Sequence, residues 1–180
     1  MKLCGLDFET ANGKSGSICA VGCVVIEDGK LIEKREYLVK PHKKLDFMSA
    51  ECYMIHGINY YDLRNAPEFS EIWNNLKELL ISTNYVVMHN ASFDLRHLRA
   101  VLEIYSAKSI KFPYLCSLEL SRKNFPDMQS HSLDKMAAHF GFSFKHHDAL
   151  EDAFVCAAIC EKMNFSENDA KLFEFSTFIQ

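Results

Sequence analysis

Residues 17–39 decide the fold, and they read SICAVGCVVI, EDGK and LIEKREYLV in three consecutive pieces. The first piece is a long, nearly uninterrupted apolar run, which is typical of a buried β-strand. Asp28-Gly29 between two strand-like runs is a strong hairpin signal, so residues 31–39 should return antiparallel to residues 17–26. Residues 2–8 form another strand-like run before them. The chain is therefore predicted to begin with three strands that include an antiparallel hairpin.

Helices and strands alternate after this hairpin. Apolar residues recur at helical spacing from Phe69 to Leu80, just after Pro67, and Tyr85–Met88 is a short apolar strand. Three further segments have helical periodicity, at residues 92–104, 132–140 and 148–163. A hairpin followed by alternating helices and strands predicts an α/β fold, with a mixed central sheet flanked by helices.

No Gly- or Ser-rich linker and no internal repeat divides the chain, so residues 1–163 are predicted to form one domain. Residues 164–180 are the ambiguous part, because their apolar residues fit two structures. We expect a terminal helix packed on the protein's own core in preference to an apolar tail for a partner. These apolar residues are Leu172, Phe173, Phe175, Phe178 and Ile179.

The composition is that of an ordinary globular domain. The chain has 180 residues, of which 48% are hydrophobic and 24% are charged, and a chain of this length needs no disulfides to be stable. Its seven cysteines are odd in number and include no Cys-x-x-Cys pair, so we interpret them as reduced core residues. No apolar run reaches the ~18 residues of a membrane helix. No signal peptide is recognisable either, so we expect a cytoplasmic protein without a membrane partner.

The formal net charge of −4 disfavours a protein that coats duplex nucleic acid through many phosphate contacts. It allows a nuclease whose acidic site recruits divalent cations, which hold a phosphodiester in place of Lys and Arg. Binding of nucleic acid is accordingly predicted to depend only weakly on salt.

Acidic residues occur at three places where α/β folds have their sites, namely strand ends and helix starts. Asp7 and Glu9 lie two apart at the end of the first strand, so both project to the same side. Asp94 lies at the start of a predicted helix, and Asp152 lies in the first turn of the last one, five residues after His147. Each alone has a structural explanation, such as a solvated strand end or a favourable charge at a helix start. Together they predict a divalent-metal site, because a cation offsets the repulsion between clustered carboxylates.

These acidic segments, in this order and spacing, resemble the exonuclease motifs of the DEDDh family of 3′-to-5′ exonucleases. This DnaQ-like group includes the proofreading epsilon subunit of bacterial DNA polymerase III. The resemblance covers about residues 1–163. The segments that carry it are Asp7-Phe8-Glu9-Thr10, Asn12–Val25, the hairpin, Tyr53-Met54-Ile55-His56-Gly57-Ile58, His89-Asn90-Ala91-Ser92-Phe93-Asp94, Ser132-Leu133-Asp134-Lys135-Met136 and His147–Ala153. The whole set is much more specific than Asp-Phe-Glu-Thr alone.

The resemblance implies a ribonuclease-H-like fold and two divalent metal ions, Mg²⁺ or Mn²⁺, held by four carboxylates. By analogy, Asp7 bridges both ions, and Asp94 serves the second. Glu9 and Asp152 complete the site of the first ion, which activates the attacking water. Two cations ~3.5–4 Å apart lower the pKa of a bound water and stabilise charge on the attacking and leaving oxygens. His147 is then implied as the general base, with the adjacent His146 as its rival.

The resemblance also implies contacts with the terminal nucleotides of a substrate. The residues concerned are Phe8, Thr10, His56, Asn90, Ser92 and Phe93. Aromatic and apolar groups among them can stack on bases without reading their sequence. Phe93 is equally well explained as a core residue.

The function predicted on this basis is a metal-dependent 3′-to-5′ exonuclease that acts on the 3′ end of single-stranded DNA, in proofreading or repair. An RNA exonuclease of the same superfamily is the alternative enzyme, because discrimination of the 2′-hydroxyl depends on local pocket geometry. A third interpretation is a non-catalytic module that binds a polymerase, but such a module should have lost metal ligands that this sequence retains. A polymerase subunit is the candidate protein partner.

Overall fold

The structure is a computed structural model that describes residues 1–176. It contains a six-stranded sheet with helices on both faces. The strands are β1 (Lys2–Thr10), β2 (Ile18–Glu27), β3 (Lys30–Leu38), β4 (Tyr85–Met88), β5 (Ile110–Cys116) and β6 (Lys171–Phe175). The helices are α1 (Ala50–His56), α2 (Tyr60–Leu63), α3 (Phe69–Ile81), α4 (Ala91–Ile104), α5 (Ser117–Asn124), α6 (Leu133–His139) and α7 (Ala149–Lys162), followed by a 3-10 turn at Glu167–Asp169.

The order of the strands in the sheet is β3-β2-β1-β4-β5-β6. β1 pairs in parallel with β4, and β4 pairs in parallel with β5, whereas the other three pairs are antiparallel. The mixed sheet that opens on a hairpin is thus confirmed. Because β1, β4 and β5 run in the same direction, their carboxyl ends meet at one edge, where α/β folds place their sites.

Two hydrophobic clusters cover the two faces of the sheet. On β4, Val86 and Met88 belong to the cluster with α3 and α4, whereas Val87 belongs to the cluster with α5, α6 and α7. This alternation follows from the two-residue period of a strand. Six of the seven cysteines are buried as free thiols. Among the residues that the structure describes, no helix combines the length and the apolar character needed to cross a membrane.

Two glycines allow α7 to lie directly on the sheet. A Cβ at Gly5 would lie 2.0 Å from the carbonyl oxygen of Ala153, and a Cβ at Gly22 would lie 1.8 Å from that of Ala149. A side chain at either position would overlap the helix backbone, so the height of α7 above β1 and β2 depends on both glycines. Gly22 is the register partner of Asp7. The close approach therefore brings the start of α7 beside the acidic end of β1.

The last described residues form a strand instead of the expected terminal helix. Lys171–Phe175 pairs antiparallel with β5, so residues 171–175 extend the sheet. Phe173 and Phe175 are buried, whereas Leu172 is 52% exposed. This two-residue alternation suits a strand on the open edge of β5, whose backbone groups need partners. The expectation of a helix was wrong, although both phenylalanines do pack on the protein's own core. The other two apolar residues of that expectation lie outside the described residues, namely Phe178 and Ile179.

Candidate active site

A cleft of about 950 Å³ opens at the carboxyl ends of the parallel strands. The end of β1, the end of α1 and the start of α4 form its walls, together with the segments that precede α6 and α7. Four of the five implied catalytic residues line it, namely Asp7, Glu9, His147 and Asp152. The fifth, Asp94, is buried next to it.

Three carboxylates form one cluster in the cleft. Asp7 and Glu9 project from the same face of β1, as their spacing predicts, and Asp152 faces them from the first turn of α7. Ligand oxygens of the three side chains lie within 4.8 Å of one another. Glu9 and Asp152 are buried and Asp7 is half-buried, so the cluster lies at the bottom of the cleft.

Asp94 occupies a separate, deeper position at the start of α4. It is 1% exposed, and its Oδ1 accepts a hydrogen bond of 3.2 Å from the backbone N–H of Phe8. This bond ties α4 to β1 next to Asp7. The start of the helix is set by Asn90, whose φ of +67° turns the chain out of β4; asparagine is one of the few residues that adopt this left-handed conformation routinely.

The four carboxylates are poorly solvated and repel one another. Burial and then the charges of neighbouring carboxylates raise the pKa of Asp7 well above its usual value and that of Glu9 to about 8. Burial likewise raises the pKa of Asp94 to about 8, although the hydrogen bond from Phe8 opposes it. Within residues 1–176, no Lys or Arg forms an ion pair with any of the four. The site therefore holds concentrated negative charge that the chain's own cations do not balance.

This set of donors fits divalent cations that prefer oxygen ligands. Asp7, Glu9 and Asp152 offer only carboxylate oxygens, which suit Mg²⁺ and Mn²⁺. A cation among them would offset the repulsion that raises their pKa values. Asp94 offers a further carboxylate outside the group of three. The residues present can thus hold divalent metal at the bottom of the cleft.

His146 and His147 lie just before α7, at the mouth of the cleft. Their rings stack with centroids 4.0 Å apart and planes 14° apart. His146 Nδ1 donates to both carboxylate oxygens of Asp152 at 3.1 Å, whereas His147 donates to Asp152 through its backbone N–H at 3.2 Å. His147 has a φ of +65°, which is uncommon for a residue other than glycine. The two histidines therefore have different relations to the same carboxylate.

The electrostatics of His147 favour its neutral form. Burial and then the charge of His146 lower its pKa, against the opposing charge of Asp152. The hydrogen bond from His146 in turn opposes the burial that raises the pKa of Asp152. The result is a neutral imidazole at the mouth of the cleft, beside the acidic cluster.

Thr10 and His56 line the cleft and are tied to each other. His56 Nδ1 accepts a hydrogen bond of 3.0 Å from the backbone N–H of Ile58. The other ring nitrogen, Nε2, therefore donates to the carbonyl oxygen of Thr10, at 3.1 Å. This pair anchors the end of α1 to the end of β1. Phe8 also borders the cleft, but its ring is buried in the core below it.

The start of α4 contributes two of its three predicted contact residues. Asn90 and Phe93 line the cleft, whereas Ser92 is not among the lining residues and donates through its hydroxyl to Asn90 Oδ1 at 3.2 Å. Phe93 is half-buried, with its ring 4.6 Å from that of His97 and 5.6 Å from the guanidinium carbon of Arg96. Phe93 is thus a wall of the cleft as well as a packing residue.

One side of the cleft is lined by His89, Arg122 and residues 129–133, which were not among the site residues predicted from the sequence. His89 Nδ1 is hydrogen-bonded to Ser117 Oγ at 2.8 Å, and burial lowers the pKa of His89 to about 4. Its Nε2 is buried without a hydrogen-bond partner among the described residues. His89 stands next to Asn90, so that motif offered a signal for it. Ser132 and Leu133 likewise begin a segment that carries the family resemblance. Arg122 and residues 129–131 belong to no such segment, and only the fold brings them here.

The chain is similar in sequence to known exonuclease and DNA polymerase III proteins. The model of the exonuclease family RNase_T matches residues 4–160. The chain is 30% identical over 160 residues to the epsilon subunit of DNA polymerase III from Aquifex aeolicus, covering 88% of this chain and 75% of that protein. It is 34% identical over 159 residues to the PolC-type DNA polymerase III of Thermotoga petrophila, covering 86% of this chain. The chain spans about a tenth of the length of the PolC-type relatives it matches.

Solved exonuclease structures have the same fold as this chain. Exonuclease X, in complex with 5′ overhanging duplex DNA, matches with a TM-score of 0.74 at 22% identity, covering 93% of this chain and 96% of that one. The nuclease domain of 3′hExo, a DEDDh family member bound to rAMP, matches with a TM-score of 0.72 at 17% identity, covering 92% and 96%. The family match over residues 4–160, with the acidic segments inside it, shows that the chain belongs to the DEDDh, DnaQ-like family of 3′-to-5′ exonucleases.

Proposed function

We propose that this chain is a 3′-to-5′ exonuclease that removes nucleotides from single-stranded DNA with two divalent ions, Mg²⁺ or Mn²⁺. The observation that carries the proposal is the arrangement of the four carboxylates. Asp7, Glu9 and Asp152 converge within 4.8 Å, and Asp94 lies in a separate buried position tied to the same strand. One compact group of three carboxylates with a fourth beside it would suit two neighbouring divalent ions.

In this proposal, Asp7, Glu9 and Asp152 would hold one ion, and Asp94, together with Asp7, would hold the other. When bound, the ions supply Lewis acidity, which favours deprotonation of an attacking water and offsets charge on the phosphate. The chain contributes the positions of the ligands. Gly5 of β1 and Gly22 of β2 let α7 lie at contact distance from the sheet, so the ligands from β1 and α7 need little rearrangement.

His147 is the proposed general base. Its neutral imidazole lines the cleft next to the acidic cluster and takes the proton of the attacking water as the water oxygen bonds to phosphorus. The bond between phosphorus and the upstream O3′ breaks, and O3′ takes up a proton from solvent. This leaves a 3′-hydroxyl on the strand and a 5′-phosphate on the released nucleotide. His146 is already bound to both oxygens of Asp152, which supports a role in orienting that carboxylate.

The cleft walls are proposed to hold the terminal nucleotides. Phe93 offers an aromatic ring for stacking, which is independent of base identity. Thr10, His56 and Asn90 border the same space. Since the hydrogen-bonding groups of His56 are used by backbone partners, its contribution is to shape the wall and to keep the end of β1 in place.

Single-stranded DNA is favoured over RNA because the relatives at 30% and 34% identity are DNA polymerase III proteins. RNA is the alternative, since the structure of 3′hExo with the same fold contains rAMP. A polymerase subunit as partner and a role in proofreading or repair are proposed on the grounds of the same relatives. A cytoplasmic location remains a prediction from the sequence.

The test uses DNA and RNA oligomers of one sequence, labelled at the 5′ end and incubated with Mg²⁺, Mn²⁺ or chelator. We expect a ladder that shortens from the 3′ end, that requires metal and that forms faster on DNA. Asp7→Asn serves as the inactive variant. Asp127→Asn serves as the matched control, because Asp127 is exposed and outside the cleft.

Each outcome of this assay has a definite meaning. A faster ladder on RNA would replace DNA by RNA as the substrate. Internal cleavage, or a ladder that persists in chelator, would refute the proposed chemistry. Absence of cleavage by folded, metal-supplied protein would favour the non-catalytic, polymerase-binding module.

A further inference from the structure

A second groove, of about 450 Å³, lies between α4 and β6. We call it the α4–β6 groove. Its helix wall is one stripe of α4, and its other wall comes mainly from β6. The residues that line the groove include Leu95, Arg96, Arg99 and Glu103 of α4, and Leu172 and Phe173 of β6.

Two arginines give this groove its charge. Arg96 and Arg99 are both exposed, and neither belongs to an ion pair with another residue of the described range 1–176. The guanidinium carbon of Arg96 lies 5.6 Å from the ring centroid of Phe93, and that of Arg99 lies 5.1 Å from the centroid of Phe173. An aromatic ring beneath a guanidinium holds it in place and leaves the N–H groups at its edge for a ligand. Arg99 uses one of its donors for the carbonyl oxygen of Glu174, at 2.9 Å.

The groove adjoins the active-site cleft where Arg96 meets Phe93. The Phe93 ring lines the cleft, and Arg96, which lies over the same ring, lines the groove. Along the helix axis, Arg96 and Arg99 lie ~4.5 Å and ~9 Å beyond Phe93, so they form successive steps away from the cleft. Glu103, one turn further, ends this favourable stretch, because a carboxylate repels phosphate.

We propose that the α4–β6 groove binds the backbone of the substrate strand upstream of the scissile bond, with Arg96 and Arg99 each holding a phosphate. The inference rests on the proposed function, which supplies the strand and its direction. Arginine forks match phosphate oxygens, and the exposed side chain of Leu172 offers apolar surface to a sugar or base. DNA and RNA share this phosphodiester chemistry, so the groove accepts either. An acidic protein thus places local positive charge where the strand leaves the cleft.

The opposite side of the cleft offers a rival path for the strand. Arg122 lines the cleft there, next to residues 129–133, and it is not part of the α4–β6 groove. A strand that left on this side would depend on Arg122 and would be indifferent to Arg96 and Arg99. The two paths therefore predict opposite results for the two sets of variants.

The test measures equilibrium binding by fluorescence anisotropy, with Ca²⁺ in place of Mg²⁺ to slow hydrolysis. The probes are a 5′-labelled oligothymidylate of about twelve nucleotides and a labelled trinucleotide, which is too short to reach far along the groove. The main variant is Arg96→Gln with Arg99→Gln. Arg96→Gln alone is included because Arg99 packs on Phe173, so its loss could disturb β6. Lys30→Gln with Lys34→Gln removes the same charge from β3, at the far edge of the sheet.

The quantity measured is the slope of log Kd for the long probe against the logarithm of the salt concentration. The double variant should lower the slope by ~1.4 and the single variant by ~0.7, since each phosphate contact on a single strand contributes ~0.7. Binding of the trinucleotide should change much less. The lysine control should keep the wild-type slope. Arg122 lines the cleft that both probes enter, so any effect of Arg122→Gln should be equal for the two probes.

An unchanged slope for the long probe in the folded double variant would overturn the proposal. So would a slope that Arg122→Gln lowers for the long probe but not for the trinucleotide. This result is independent of the hydrolysis assay. A wild-type protein that forms the expected ladder but shows no effect of the arginine variants would retain the exonuclease function and lose the groove. A protein without any ladder whose slope does depend on the arginines would lose the exonuclease function and retain a strand-binding groove.

Discussion

At the scale of single residues, the four carboxylates are in an environment that destabilises their ionised forms. The pKa values of Glu9 and Asp94 are raised to about 8, whereas unfolded carboxyl groups titrate near ~4. Without metal, the folded protein therefore binds more protons than the unfolded chain between about pH 4 and pH 8, and its stability declines as pH rises through this window. Bound cations should prevent most of this decline in stability.

Asp94→Asn should abolish hydrolysis and preserve the fold. The amide keeps an acceptor for the Phe8 N–H, but it lacks the charge that a metal ligand needs. In chelator at pH 8 the variant should be at least as stable as the wild type, because one buried, repelled charge is gone. Thermal unfolding with and without chelator, together with the labelled-DNA assay, measures both effects. Normal turnover in Asp94→Asn would contradict the assigned role, and Asp127→Asn controls for the loss of a carboxylate.

The two adjacent histidines should separate into a catalytic and a positioning residue. His147→Ala should lower kcat by ~10²–10⁴ with Mn²⁺ affinity retained. His146→Ala should weaken Mn²⁺ binding by ~10–100-fold, because Asp152 loses the donor that orients it. His146→Asn should restore affinity, since its amide N–H can take the place of Nδ1. Calorimetric titration with Mn²⁺ and single-turnover rates test this prediction. If His146→Ala bound Mn²⁺ normally but hydrolysed DNA slowly, His146 would be the general base and His147 the positioning residue.

At the scale of secondary-structure elements, the contact between α7 and the hairpin controls the site. Gly22→Ala should destabilise the fold by ~1–3 kcal/mol or more, because its Cβ would overlap the Ala149 carbonyl. It should also weaken Mn²⁺ binding, since a displaced α7 moves Asp152 away from β1. Urea unfolding and Mn²⁺ titration measure the two effects. Gly13→Ala is the control, because no atom of residues 1–176 lies within 4 Å of a Cβ there. Equal behaviour of both variants would contradict the explanation.

A second contact between elements should make stability depend on pH through His97. Its Nδ1 accepts a hydrogen bond of 3.2 Å from the Gly16 N–H, which joins α4 to the β1–β2 loop. The side chain is 2% exposed, and burial lowers its pKa from 6.5 to about 4. The unfolded chain therefore binds the extra proton first, so this stability is complete above about pH 6.5 and falls by up to ~3 kcal/mol as pH drops towards 4.

His97→Asn should flatten this dependence, because the amide oxygen can accept the same hydrogen bond without titrating. Unfolding by urea between pH 7 and pH 4 gives the slope for each protein. His139→Asn is the matched control, since His139 is exposed. A wild-type slope in His97→Asn would show that other groups cause the acid sensitivity.

At the scale of the whole molecule, β6 completes both the sheet and the α4–β6 groove. Phe173 stacks on Phe112 with ring centroids 5.0 Å apart and is buried. Phe173→Ala should cost ~3–5 kcal/mol of unfolding free energy, whereas Leu172→Ala, at the exposed neighbouring position, should cost little. Urea denaturation measures both. Equal stabilities of the two variants would mean that β6 does not contribute to the core.

The elements that the sequence predicts well are those whose pattern is local and strong. Tyr85–Met88, the hairpin and the helices with apolar stripes lie where periodicity and the Asp28-Gly29 turn indicate. β5 was missed because Pro113 interrupts its apolar run, and a proline usually argues against a strand. α5 was missed because it is short and mostly polar. β6 was taken for a helix, since a few apolar residues near a terminus satisfy either period.

The sequence by itself determined the hairpin, the alternation of helices and strands, and the positions of the acidic residues at strand ends and helix starts. These features depend on neighbours along the chain. Only the tertiary structure decided that Asp152 meets Asp7 and Glu9, because that contact depends on α7 lying against Gly5 and Gly22. It also decided that Arg96 and Arg99 line a groove, since Phe173 comes from a strand distant in sequence. Periodicity reports on one element at a time, whereas a site requires several elements packed at fixed distances.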